Sequence, residues 1–376
     1  MKIVYISNST IPSRAANSIH VMKVCQAFSD LGHEITLFAS DKKNDYEKDI
    51  NDIYQYYGVK KSFRIQKFSW LKYVKGKSYF YGLLSALKSS LMDVDLVFCR
   101  HLYAAFFSSL ICKKVIFESH SPVSDASDTS LEARMFKSMI SKKSFSSLVV
   151  ITHSLKEYYL EKYPQLSGKV IVAPDGADPV GDEVKPLNME ADSGRIQVGY
   201  LGHLYPGRGI DIIIELASLS AWADFHIIGG TEADISYWKN ISKNKNINFH
   251  GFVTPNQAER MRISCDVLLA PYQSSVAVSG GGGNTVQWMS PLKVFEYMAA
   301  GKLILCSDLP VLHEVLEHNR NALFCNPIDA NDWAKKLDLV RNAPHIASDI
   351  GNNALKDFAE NYSWYSRVES ILKEIN

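Results

Sequence analysis

The chain has no closely paired cysteines, no long uncharged apolar run and no low-complexity tract or internal repeat. Its six cysteines, Cys25, Cys99, Cys112, Cys265, Cys306 and Cys325, are scattered through apolar segments. They never take the close spacing of a zinc site or a disulfide framework, so they read as buried thiols of a reducing compartment. No segment is long and apolar enough to cross a bilayer, and the opening run Ile3-Val4-Tyr5-Ile6 is too short for a signal peptide. A cytoplasmic protein is therefore expected. The glycines Gly280 to Gly283 are followed by Asn284 and not by Gly-Lys-Ser/Thr, which excludes a phosphate loop of the nucleotide-hydrolase kind.

What is present is an ordinary globular composition, 46% apolar and 22% charged over 376 residues. That length exceeds one compact core and suits two domains. The net charge of +1 hides an asymmetry: residues 1–180 hold 24 Lys/Arg against 17 Asp/Glu, leaving 17 against 23 for the rest. Much of the excess lies in residues 60–80, where Lys60, Lys61, Arg64, Lys67 and Lys75 alternate with Phe63, Phe68, Trp70 and Phe80. Such a stretch is either a solvated face over a core helix or a surface for an anionic membrane or acceptor. No nucleic-acid partner is expected.

Apolar periodicity gives the architecture. Ile3–Ser7 reads as a buried strand, Val21, Val24, Cys25, Phe28 and Leu31 as a helix stopped at Gly32, and Glu34–Phe38 as a second strand. That β-α-β unit marks a parallel sheet covered by helices. Further strands are expected at Asp95–Cys99, Val115–Glu118, Leu148–Ile151 and Val170–Val172. A polar Pro/Gly/Asp-rich stretch from Pro174 to about Gly194 places a domain boundary. A second Rossmann-like series follows, with strands at Gln197–Leu201, Asp224–Ile228, Ile247–Phe249, Val267–Ala270, Leu303–Cys306 and Ala322–Phe324. The fold class is therefore α/β, two doubly wound parallel sheets, with domains 1–180 and 195–361. Function is expected in loops outside the carboxyl ends of the strands.

Three segments carry chemistry. Gly202-His203-Leu204-Tyr205-Pro206-Gly207-Arg208-Gly209 joins a strand to a helix, offering backbone amides and the Arg208 fork to an anion. In Ser290-Pro291-Leu292-Lys293, Ser290 suits an N-cap and Pro291 the first helical position. Lys293 falls in the first turn, where the helix dipole disfavours a cation unless an anion arrives. Glu296, one turn on, can accept hydrogen bonds from a diol such as a ribose, or pair with Lys293. Glu118-Ser119-His120 ends a strand of the first domain and brings His120 to the functional edge. Asp93 and Asp95 precede a strand, the wrong end for a metal pair. Gly280 to Gly283 reads as a flexible loop at the edge of a ligand cleft.

These segments together resemble the retaining nucleotide-sugar glycosyltransferases of family four, of the bacterial polysaccharide and lipid-glycan type, which have the GT-B fold. The resemblance covers nearly the whole chain. It implies a donor-diphosphate loop at Gly202, His203, Arg208 and Gly209, and a donor helix at Ser290, Pro291, Leu292, Lys293 and Glu296, with Glu296 on the ribose. Backbone at Gly251 and Phe252 would meet the base. His120 would contact the donor sugar, and Asn17 and Ser18 would lie on the acceptor side. It further implies a C-terminal helix, about 362–376, returning to the first domain. Two positions depart from the family pattern: His203 stands at a usual arginine, and Trp288 stands eight residues before Glu296, where an acid is usual.

The expected function is transfer of a hexose-type sugar from a nucleotide-diphosphate sugar, UDP before GDP, to a glycan or lipid-linked acceptor in surface polysaccharide biosynthesis. Its catalytic residues would be His120, Arg208 and Lys293. No metal or other cofactor is expected, the nucleotide sugar being a co-substrate. Peripheral contact with the inner membrane through residues 60–80 accompanies this reading. The alternatives are a nucleotide-sugar epimerase of the same fold and a catalytically silent nucleotide-sugar-binding subunit.

Overall fold

The computed structural model describes residues 1–42, 47, 50–68, 75–123, 130–187, 189, 194–276 and 284–375. The chain divides into two compact units, Met1–Asp175 with Trp364–Asn376, and Gly176–Ser363. The first unit carries strands β1 (Lys2–Thr10), β2 (Glu34–Ser40), β3 (Arg64–Phe68), β4 (Leu96–Cys99), β5 (Val115–Ser119), β6 (Phe145–Val150) and β7 (Val170–Val172). They form one sheet in the order β3-β2-β1-β4-β5-β6-β7, every pairing parallel. The second unit carries β8 (Ile196–Leu201), β9 (Ala223–Ile228), β10 (Ile247–Gly251), β11 (Val267–Ala270), β12 (Leu303–Ser307) and β13 (Leu323–Cys325). Their order, β10-β9-β8-β11-β12-β13, is again all parallel. Central strands such as β4, β5 and β9 are buried along their whole length. That burial is why they appear in the sequence as continuous apolar runs and not as alternations.

Two expectations need correction. Of the two readings of the basic-aromatic stretch, the solvated face over a helix is corrected in its first part, which is an edge strand, β3, paired with β2. Phe63, just before it, is 5% exposed, while Arg64 and Lys67 face solvent. Lysine on an edge strand is a usual guard against unwanted pairing, and this disguised the strand as a charge run. Trp70 and the rest of 69–74 lie outside the described residues. The boundary also falls earlier than read: Ala177 is buried in the second unit's core, with Val180 and Leu187 packed against it. The Asp-rich stretch is thus partly second-unit structure.

The helix Trp364–Ile375 belongs to the first unit. Arg367, whose side chain is 1% exposed, donates to the Pro174 carbonyl (2.9 Å) and to Glu118 Oε1 (3.0 Å). Its Nη1 is buried without a hydrogen-bond partner among the described residues. A buried ion pair holds its elements only while both members are present. Arg367→Leu removes the nearest permanent charge from the buried Glu118 carboxylate, leaving the two histidines and the more distant Arg100, and should cost up to about 3–5 kcal/mol; urea unfolding would measure it, and a loss below about 1 kcal/mol would contradict the assignment.

Several histidines are held neutral. His226 donates from Nε2 to Gln197 Oε1 (2.7 Å) and accepts on Nδ1 from His250 Nε2 (2.9 Å). Burial first, then the His250 charge, depresses its pKa to about 4. His101 and His120 are likewise held at about 4, by burial first and then by Lys42 and Arg100 respectively. Unfolded, these groups take up protons near 6.5. Their stabilisation is complete above that pH and is lost towards pH 4, at about 1.4 kcal/mol per pH unit for each histidine. The urea midpoint should fall steeply from pH 6.5 to 4.5, with a shallower fall in His226→Gln; identical slopes in the two proteins would refute this.

Candidate functional site

In each sheet the strand order reverses beside the central strand, at β1/β4 and at β8/β11. Ligands of doubly wound sheets bind outside the carboxyl ends of strands at such points. In the second unit, β8 runs out into Gly202 and β11 into Pro271 and Tyr272. The Gly202–Gly209 loop is wedged there. Gly209 (φ +73°) caps the helix Ile210–Leu219, and a Cβ on it would collide with the Pro271 carbonyl oxygen. Gly202 (φ +150°) lies against Lys293, whose Nζ a Cβ would meet at 2.9 Å. Only glycine permits these approaches.

Two cations converge at this place. Lys293 Nζ lies 3.8 Å from the centroid of the Tyr200 ring and 5.2 Å from that of Tyr272. The Arg208 guanidinium lies 5.5 Å from the Tyr272 centroid, and its Nε is buried without a hydrogen-bond partner among the described residues. Neither forms an ion pair among the described residues. Burial, and next the neighbouring Arg208, hold the Lys293 ammonium well below the usual lysine range against a smaller opposing pull from Glu296. The aromatic faces supply part of the missing counter-charge. His203 stacks on Tyr205 at 4.7 Å, and its pKa is lowered by partial burial, then by Arg208 and Lys293. The arrangement is an electropositive patch with an unused donor, built to receive an anion with several oxygens.

The helix bearing Lys293 spans Leu292–Ala299. Its N-cap is Pro291, in extended conformation, with no side-chain cap. Ser290 is therefore one residue too early to cap it and Pro291 lies outside the first turn, a correction to the reading from sequence. The first turn contains no acid, so neither the Lys293 charge nor the positive end of the helix dipole is offset there. Glu296 accepts from Arg262 Nη2 (3.1 Å), so its ion partner is Arg262. Gly251 (φ +69°) ends β10, and its carbonyl accepts from the Gly229 amide at 2.7 Å. Phe252 beyond it is 47% exposed.

In the first unit, Glu118 is buried and gathers its neighbours onto one oxygen. His120 Nε2 (2.6 Å), His20 Nε2 (2.8 Å), Arg367 Nη2 (3.0 Å) and Arg100 Nε (3.8 Å) all approach Oε1. Oε2 is buried without a hydrogen-bond partner among the described residues. Burial alone would raise the Glu118 pKa, but Arg367, His20 and His120 hold it well below the carboxylate range. His20 also meets Asp175 Oδ1 at 2.8 Å and packs edge-on against Trp364. Neutral His120, donating from Nε2 to Glu118, keeps Nδ1 as an acceptor. The ligand atoms of His20, His120 and Asp175 lie within 4.8 Å of one another, a spacing a metal could use. They are engaged with one another and with Glu118, and the two arginines oppose a divalent cation there.

On the expected acceptor side, Asn17 is exposed and its carbonyl accepts from Arg100 Nη1 (3.3 Å). Ser18 is fully buried, and its hydroxyl is spent on the Ser13 and Ala15 carbonyls, both at 2.8 Å. That side chain faces inward, a correction to the reading from sequence. Gly280 to Gly283 lie outside the described residues. A cavity of about 470 Å³, lined by Asp308, His313, His318 and Phe324 among others, shares none of these site residues. Sequence reading missed Tyr200, Tyr272, His20, Asp175, Arg100 and Arg367. Tyr200 and Tyr272 sit in or beside apolar strands and looked like core, and Asp175 looked like boundary. For Arg367 the signal was a cation at helical spacing with Trp364 and Val368, which a buried face does not accept without a partner.

Comparison with known proteins fits this geometry. Residues 18–180 match the family model described as Glycosyltransferase Family 4, and residues 195–342 the model described as Glycosyl transferases group 1. An uncharacterized glycosyltransferase of Methanocaldococcus jannaschii is 24% identical over 244 residues, 60% of this chain. The poly(ribitol-phosphate) alpha-N-acetylglucosaminyltransferase of Staphylococcus aureus is 26% identical over 187 residues, 48% of this chain. The matches span 58% and 35% of those two proteins. Anabaena HepE, solved in complex with UDP and glucose, superposes with a TM-score of 0.70 over 99% of this chain and 98% of its own, at 13% identity. That likeness shows a shared GT-B fold of two Rossmann-like units. With one glycosyltransferase model on each unit, the chain belongs to the glycosyltransferases of the group 1 and family 4 type.

Proposed function

We propose that the chain transfers a hexose-type sugar, with retention of configuration, from a nucleotide-diphosphate sugar to a glycan or lipid-linked acceptor in surface polysaccharide biosynthesis. The observation that carries this reading is the pair Arg208 and Lys293, two cations without an ion partner among the described residues, set on tyrosine faces where the glycine loop lets a ligand approach. A pyrophosphate supplies the charge and the oxygens they lack. As the bond from the anomeric carbon to the phosphate oxygen breaks, negative charge grows on the leaving diphosphate, where both cations stabilise it. The acceptor oxygen bonds to the anomeric carbon and its proton departs with the leaving group. Charge neutralisation by these side chains needs no metal.

Glu296 and the backbone around Gly251 and Phe252 take the nucleoside in this reading, with Arg262 fixing the Glu296 carboxylate. UDP is preferred over GDP, supported by the complex of Anabaena HepE with UDP and glucose. The name of the Staphylococcus aureus relative, a transferase onto poly(ribitol-phosphate), supports a polymeric acceptor. His120 is assigned the sugar contact: neutral at pH 7, it offers Nδ1 as acceptor to a sugar hydroxyl.

Arg208→Ala and Lys293→Ala should each lower turnover by about 10²–10³ with little change in thermal unfolding, since both side chains lie at the edge of the core. Undiminished turnover would contradict the assignment. Incubation with donor alone reads out epimerisation. Binding of nucleotide sugar without transfer to any acceptor would mark a silent subunit instead.

A further inference from the structure

The helix Lys77–Ser90 is built in an unusual way. Its inner face is made of Tyr81, Gly82, Ser85, Ala86 and Ser89, all buried. Tyr81 donates to the Ser7 and Phe38 carbonyls, and Gly82 sits so close to the helix Leu102–Ile111 that a Cβ would come within 2.7 Å of the Ala104 amide nitrogen. The helix is thus locked in one rotation by small residues. Its large apolar residues point the other way: Phe80 is 43% exposed, Leu84 47%, Leu87 45% and Leu91 84%. Spacings of 4, 3 and 4 place these four on one stripe. A surface helix normally turns a polar face to water, and a continuous apolar stripe marks a contact surface.

The charge around it selects the partner. From Ile53 to Met92 the chain holds eight Lys/Arg and no Asp or Glu. Lys75, Lys77 and Lys88, at the two ends of the helix, are exposed. A partner must therefore accept apolar side chains to a shallow depth along one line and present diffuse negative charge beside it. We propose that this helix is a docking surface for an anionic lipid bilayer, with Phe80, Leu84, Leu87 and Leu91 entering the interface and the lysines meeting lipid headgroups. The residues differ from those the sequence suggested: Phe63 is buried in the first unit, and the exposed apolar side chains continue past residue 80. The proposal does not rest on the transferase reading, because it is tested by binding alone.

The test is cosedimentation of the full chain with vesicles of phosphatidylcholine, with and without phosphatidylglycerol. Binding is expected to the anionic vesicles only, to weaken as salt screens the lysines, and to fall about tenfold or more in Leu84→Gln/Leu87→Gln. Lys77→Gln/Lys88→Gln should weaken binding and flatten its salt dependence. Both double variants change exposed positions, and unchanged thermal unfolding would show that they fold. Absence of binding to anionic vesicles, or binding indifferent to the leucine substitutions, overturns the proposal. So does a dimer in sedimentation equilibrium that the leucine variant dissolves while neither protein binds lipid, since the stripe would then face a second copy.

Discussion

Two basic side chains held together without an ion partner among the described residues are the constraint around which the second unit is arranged. Arg208 and Lys293 repel each other, and burial weakens the water that would otherwise screen them. Their tolerance requires ring faces beneath them, hence tyrosines at 200 and 272, and glycines at 202 and 209 so that the backbone can close in. The first turn of the helix carrying Lys293 leaves its dipole uncompensated by acid. Together these features have the form of the anion site proposed for the donor, assembled before its ligand, which is how binding energy is directed to charge that develops during reaction.

The first unit solves the opposite problem. Glu118 is a buried carboxylate surrounded by Arg367, Arg100, His20 and His120, and it stays charged because of them. The network joins the end of β5, the helix Ala16–Asp30, the Pro174–Asp175 segment and the C-terminal helix. One carboxylate thereby ties residues far apart in sequence, and it fixes the His120 imidazole, the group proposed for the sugar contact. A positioned neutral histidine is a more useful acceptor than a mobile one that titrates near pH 6.5.

Much of this was legible in the sequence, for physical reasons that differ by element. Buried parallel strands such as Val115–Ser119 and Val267–Ala270 announce themselves as apolar runs. The loop Gly202–Gly209 announces itself by glycines placed where the backbone must take positive φ. An edge strand such as Arg64–Phe68 carries no such mark, because its solvent face is basic. Ser18 read as an acceptor-side group because its inward hydrogen bonds are a tertiary fact. Tyr200 and Tyr272 were hidden for a related reason: a tyrosine in an apolar strand looks the same whether its ring packs on leucine or on a lysine. The Ser290-Pro291 pair pointed to the right helix, with its start displaced by one residue.

The central claim is that Lys293 is depressed in the free protein by burial and by Arg208, and that a nucleoside diphosphate relieves it. Isothermal calorimetry of UDP binding at a series of pH values up to the ordinary lysine range, repeated in buffers of different ionisation heat, counts the protons taken up on binding. Net uptake is expected at some pH in this series for the wild type, as the diphosphate raises the protonated fraction of Lys293, with the uptake abolished in Lys293→Met. Binding with no proton uptake, or with the same uptake in the Lys293→Met variant, would contradict it.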